Sequence, residues 1–245
     1  MSLCLGFLDY EDLESSPANL RYLDTSEKEI FNRLATKFLK SQFLAGRILA
    51  KSLLSTRLDI SPHRVRIEIH PGGRPISTAE IQFSISHSNG LAACATGRKL
   101  LGLDLERRLQ RRHYISIAED FFHESEFAQI KRKSGFGALQ LFYEYWTIKE
   151  AYIKARNMSV WDLRMVPPAK MDDNPEIIRG NLSVESSSTD FEPPQIEAIF
   201  YTLSNKYILA IASSPAPREI TIAPDFPLPK DLSLGEAKNC TFNAS

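Results

Sequence analysis

Leu100-Leu101-Gly102-Leu103-Asp104-Leu105-Glu106 alternates leucine with small or acidic residues over the length of an ordinary strand. Successive strand side chains point to opposite faces, so Leu101, Leu103 and Leu105 share one face while Asp104 and Glu106 emerge together on the other. The two carboxylates are then about 7 Å apart and repel by about 2 kcal/mol at an effective dielectric of about 20. A divalent cation reverses the sign of that interaction. Hard oxygen donors too few to saturate a metal suit Mg²⁺, which keeps waters and shares its shell with substrate phosphates. An edge strand with a solvated polar face accounts for the same pattern without a metal.

Outward from this strand, the N-terminal side reads as an apolar strand over 1–9, then a helix opened by a Ser26/Glu29 capping box and carried by Ile30, Leu34, Phe38 and later apolar positions to about Arg57. Val65–Ile69, Ile81–Ser86 and Leu91–Thr96 alternate as strands, separated by Gly, Pro and Asn turn residues. On the C-terminal side, helical spacing predicts elements over 115–122, 125–133 and 138–156. In the last of these, Leu141, Tyr145, Ile148 and Tyr152 build one apolar stripe. Glu150 falls almost opposite that stripe, with Lys154 one turn on, which by itself reads as an exposed i,i+4 pair. Residues 172–195 are polar and poorly patterned, 196–203 and 207–212 read as a hairpin, and five prolines beyond Ser213 argue against packed structure there. Both halves offer a helix plus strands, an α+β chain.

The 245 residues are 43% hydrophobic, enough for a substantial core. Thirty basic and thirty acidic residues cancel, so the overall charge asks for neither nucleic acid nor an anionic membrane. Three scattered cysteines form neither a disulfide framework nor a zinc pattern, and a reducing cytoplasm fits them best. The N-terminus lacks a basic region and meets Asp9 too early for a secretory signal, and no apolar run reaches membrane-spanning length.

Gly102-x-Asp104-x-Glu106 and Trp146-x-x-Lys149-Glu150-Ala151-x-x-Lys154 together resemble the paired signatures of the 4′-phosphopantetheinyl transferase superfamily. Gly73-Arg74-Pro75 and Phe83-x-x-Ser86-His87-Ser88 resemble the two blocks that precede them in that family. Order and spacing are kept from about residue 20 to 212. The chain length resembles the surfactin-synthetase-activating type, which implies a pseudo-twofold monomer of two similar α+β halves with the active site between them. The expected division is 1–105, 106–213, and a Pro-rich, loosely ordered tail over 214–245.

The resemblance implies transfer of phosphopantetheine from coenzyme A to a serine of an apo acyl or peptidyl carrier protein, releasing adenosine 3′,5′-bisphosphate. It assigns Asp104, Glu106 and Glu150 to Mg²⁺, and Lys154 to the departing bisphosphate. Glu150, or a water held by the metal, takes the serine proton. Ser86 and His87 are expected on phosphate oxygens of the coenzyme, Arg74 at its nucleotide end, and Arg47 as a further phosphate contact. Arg33 and Lys37 read as a solvated basic face. Arg107, Arg108, Arg111 and Arg112, followed by Tyr114, Ile115 and Ile117, form a candidate landing patch for an acidic carrier-protein helix. Other Mg²⁺-dependent phosphohydrolases and a non-catalytic carrier-binding relative are the alternatives. The family's glycine-containing turn is replaced here by Asn157-Met158-Ser159, where Asn157 can supply the left-handed cap.

Overall fold

The apolar N-terminus forms β1 (Ser2–Asp9), with Leu3, Leu5 and Phe7 buried. The structure is a computed structural model that describes residues 2–69, 75–77, 81–97, 100–172, 196–214, 217 and 219–242. A one-turn helix α1 (Pro17–Leu20) leads to α2 (Thr25–Arg33) and α3 (Lys37–Leu58). The single helix expected from Ser26 to Arg57 is therefore two. The chain breaks at Leu34–Thr36 because the Thr36 hydroxyl accepts from the Leu39 N–H at 3.2 Å and starts a new helix. The capping box also lies two residues earlier than expected, between Asp24 and Glu27.

After a 3₁₀ turn at Pro62–Arg64, β2 (Ile67–Ile69) pairs with β3 (Pro75–Ser77), followed by β4 (Gln82–Ser88), β5 (Leu91–Gly97) and β6 (Leu101–Arg107). Next come α4 (Tyr114–Phe121), α5 (Glu124–Lys131) and α6 (Gly135–Arg156). The chain closes with β7 (Ala169–Asp172), β8 (Glu197–Leu203), β9 (Tyr207–Ser213), β10 (Glu219–Ile222) and β11 (Leu234–Phe242). The polar stretch 173–195 and the turn containing Arg74 lie outside the described residues.

Two main sheets result, ordered β10-β1-β5-β4 and β6-β9-β8-β11-β7. One unit recurs: β1-β5-β4 with α3, then β6-β9-β8 with α6. Shifting by 98 residues carries Lys37 onto Gly135, Leu58 onto Arg156, and the left-handed cap Asp59 (φ 53°) onto the left-handed cap Asn157 (φ 56°). The leucine face of β6 packs against Leu3, Leu5 and Ala93 of the first sheet, while α3 and α6 cover the outer faces. The fold is thus α+β with its sheets face to face at the centre.

The proline-rich C-terminus is not a loose tail. Its prolines fall between β10 and β11 or before them, so neither strand loses a ladder donor. β10 runs parallel to β1 and β11 is inserted between β8 and β7, so this segment ties both sheets together.

Each unit also contains a buried carboxylate paired with a buried lysine. Glu27 of α2 meets Lys51 of α3 at 2.5 Å, and Glu126 of α5 meets Lys149 of α6 at 3.1 Å. Both glutamates occupy the third position of their short helices, and each accepts from its own cap N–H. Lys149 also donates to the Val166 carbonyl, and Glu126 accepts from the Ala169 N–H. Lys149→Met leaves Glu126 charged and buried, and is expected to cost about 3–5 kcal/mol. Urea unfolding monitored by circular dichroism checks this, and Lys149→Met/Glu126→Gln should recover part of the loss.

Candidate active site

β6 and α6 approach so closely that only glycine fits at position 102: a Cβ there would run into the Ala151 carbonyl oxygen and the Ala155 N–H. The alanines at 151 and 155 are small for the same reason. This contact sets α6 over the acidic face of β6, and Glu150 and Lys154 sit beside it on the helix. Lys154 Nζ lies 2.6 Å from Asp104 Oδ1.

Across the seam, β4 is not paired with β6 in a ladder; its alternate serines join the two edges instead. The Ser84 hydroxyl accepts from the Leu103 N–H and the Ser88 hydroxyl from the Arg107 N–H, both at 2.9 Å. Ser86 donates to Asp104 Oδ1 at 2.8 Å, and Ser88 donates to Glu106 Oε2 at 3.3 Å. Lys154 also reaches the Ser86 hydroxyl at 3.3 Å. Strand alternation puts His87 on the opposite face from Ser86. There it meets Gln42 and lines a groove of about 400 Å³ with Phe43, Arg47 and Ile85. Ser86 is thus engaged by the carboxylate side of the seam, and His87 by the groove side.

The electrostatics of the seam are those of crowded anions. Burial first, and the Asp104 charge second, push the Glu106 carboxyl up to about 7. The same two causes, in the same order, push Glu150 up to about 7, with Lys154 opposing them. Asp104 is 4% exposed, and its Oδ2 is buried without a hydrogen-bond partner among the described residues. Glu106 Oε1 accepts from the Trp146 indole N–H at 3.1 Å. Trp146 thereby orients a site carboxylate, whereas the sequence marks it only as a position of the second signature.

An unsatisfied carboxylate oxygen beside two carboxyls whose pKa is raised by burial and by the Asp104 charge matches the donor chemistry of a hard divalent cation. Among the described residues, no group of three or more His, Cys, Asp or Glu side chains is gathered closely enough to hold a metal, and Lys154 supplies the positive charge next to Asp104.

Arg47 is 6% exposed and its Nε lies 2.8 Å from Glu27 Oε1, so its charge is matched within the fold while its side chain lines the groove. Arg33 and Lys37 are exposed. Arg74 lies outside the described residues. In the arginine cluster, Arg111 stacks over Trp146 at 5.6 Å and Arg108 over the exposed Phe136 at 5.6 Å, next to exposed Leu109 and Ile115. No helix among the described residues is long and apolar enough to cross a membrane.

Residues 100–212 match a family model described as the 4′-phosphopantetheinyl transferase superfamily. The chain is 37% identical over 112 residues to the 4′-phosphopantetheinyl transferase gsp of Aneurinibacillus migulanus, a match covering 46% of each chain. It is 29% identical over 166 residues to the 4′-phosphopantetheinyl transferase HetI of a Nostoc species, covering 62% of this chain and 70% of HetI. To the 4′-phosphopantetheinyl transferase Sfp of Bacillus subtilis it is 24% identical over 143 residues, covering 58% and 63%. The chain thus spans about half the length of gsp and more of the other two.

Proposed function

We propose, from the match of residues 100–212 to the 4′-phosphopantetheinyl transferase superfamily model, that this chain is a member of that superfamily and transfers the 4′-phosphopantetheine group of coenzyme A to a serine of an apo acyl or peptidyl carrier protein. The observation that supports this most is the meeting of Asp104, Glu106, Ser86 and Lys154 at one seam, with Glu150 close enough for Asp104 and Glu106 to raise its pKa.

In this reading the serine hydroxyl attacks the β-phosphorus of the coenzyme. A bond forms from serine oxygen to that phosphorus, the bridging bond to the α-phosphate breaks, and adenosine 3′,5′-bisphosphate leaves with the electron pair. Asp104, Glu106 and Glu150 would hold Mg²⁺, which supplies charge neutralisation at the phosphoryl oxygens. Glu150 accepts the serine proton, directly or through water; among the described residues it is held by charge and not by a hydrogen bond. Lys154, 29% exposed, stands at the mouth of the seam to meet the charge on the departing bisphosphate. Ser86 holds Asp104 and Trp146 holds Glu106, so the carboxylates are fixed before substrate arrives. The groove lined by Phe43, Arg47 and His87 takes the nucleotide end of the coenzyme. Arg107 to Arg112, with Ile115 beside them, receive an acidic carrier-protein helix.

Incubating the protein with apo carrier protein, coenzyme A and Mg²⁺, then weighing the carrier by mass spectrometry, tests the proposal. Addition of one phosphopantetheine, abolished by EDTA, is expected. An unmodified carrier with coenzyme A cleaved instead indicates a phosphohydrolase.

A further inference from the structure

The duplicated unit carries a second cavity. The groove beside His87 is walled by Ile30 of α2 and by Gln42, Phe43, Gly46 and Arg47 of α3. Counting from the start of each helix, those positions become Gln129 of α5 and Gln140, Leu141, Glu144 and Tyr145 of α6. All five line another cavity, of about 600 Å³, in the C-terminal unit. The repeat therefore preserved a cleft as well as a fold.

The carboxylate seam was not repeated. Pairing registers place Gly6 and Leu8 of β1 where β6 has Asp104 and Glu106, and the helix shift places Ser52 and Thr56 where α6 has Glu150 and Lys154. The second cavity thus has no acid cluster of its own and is suited to binding rather than catalysis.

Its lining is mainly polar, with three exposed lysines and a smaller apolar part. Lys133 after α5, Lys170 of β7 and Lys238 of β11 converge on it from three parts of the chain. Glu144 is the one acidic residue among the described residues lining it; it already accepts from Gln140 at 2.9 Å and lies in the field of Arg108. Leu141, Pro168 and Met171 supply the smaller, apolar part of the wall, and the volume falls in the range of small-molecule sites.

We propose that this cavity is a second nucleotide-binding site, taking an adenine-type base against Leu141 and Pro168 and its phosphates on Lys133, Lys170 and Lys238. The comparison with the first groove rests on the proposed function; the lysine rim and the apolar wall do not.

Photolabelling the full chain with 8-azidoadenosine 3′,5′-bisphosphate, followed by peptide mapping, tests the proposal. Label is expected on peptides from both α2–α3 and α5–α6. Lys133→Ala/Lys170→Ala/Lys238→Ala, three exposed side chains, should lower the α5–α6 label at least tenfold while leaving the α2–α3 label and carrier modification unchanged. Label confined to α2–α3, or α5–α6 label indifferent to the lysines, overturns the second site. Label on α5–α6 alone supports it and removes the first groove from the proposed function. No label on either removes both.

Discussion

Gly102→Ala is expected to lower carrier-protein modification about a hundredfold, the size of effect that follows when a reacting geometry shifts by about 1 Å. The added methyl meets backbone atoms of Ala151 and Ala155, and no change of side-chain rotamer can clear it. The helix itself has to move away from β6, taking Glu150 and Lys154 from Asp104. The overpacking should also cost about 1–3 kcal/mol of stability. Single-turnover rates together with urea midpoints check both effects. Normal turnover in this variant would mean that the close approach of α6 to β6 does not position the chemistry.

Asp104→Asn separates chemistry from fold. Asparagine keeps the shape, and its carbonyl oxygen can still accept from Ser86 and Lys154. It removes the charge that contributes to the raised pKa of both Glu106 and Glu150. Transfer is expected to fall about 10²–10³-fold, by analogy with the loss of one preorganised oxyanion-stabilising group. The thermal midpoint should stay within a few degrees, because relief of like-charge repulsion offsets the weakened Lys154 pair. Wild-type turnover in Asp104→Asn would refute the role given to this carboxylate.

Much of this site is legible in the chain because strands and long helices advertise their faces. The alternation at 100–106 places Leu101, Leu103 and Leu105 against the first sheet and Asp104 with Glu106 against α6, as the structure has it. The i,i+4 relation of Glu150 and Lys154 puts both on one side of α6, but sequence spacing alone favours a solvated pair. Only the tertiary approach of β6 turns it into a site. The break at Leu34–Thr36 is hidden because apolar periodicity runs straight across it and only the Thr36 cap marks it. The C-terminal strands are hidden by their proline surroundings, although the prolines lie outside the strands themselves. The serines of β4 have no periodic signal beyond alternation, so their role as cross-seam donors and acceptors needs the partner strand. Strand alternation sends Ser86 and His87 to different sides, and the structure has Ser86 on Asp104 and His87 on Gln42. Lys149, invisible as anything but a motif letter, is a buried counter-ion to Glu126.

The proposed function turns on three carboxylates from a strand and a helix that would hold Mg²⁺ when coenzyme A binds, and calorimetry of coenzyme A binding tests it most directly. With wild-type protein and no carrier present, affinity should rise at least tenfold, about 1.4 kcal/mol, when Mg²⁺ replaces EDTA. In Asp104→Asn that gain should vanish. Equal affinity in Mg²⁺ and EDTA for the wild-type protein would contradict the account.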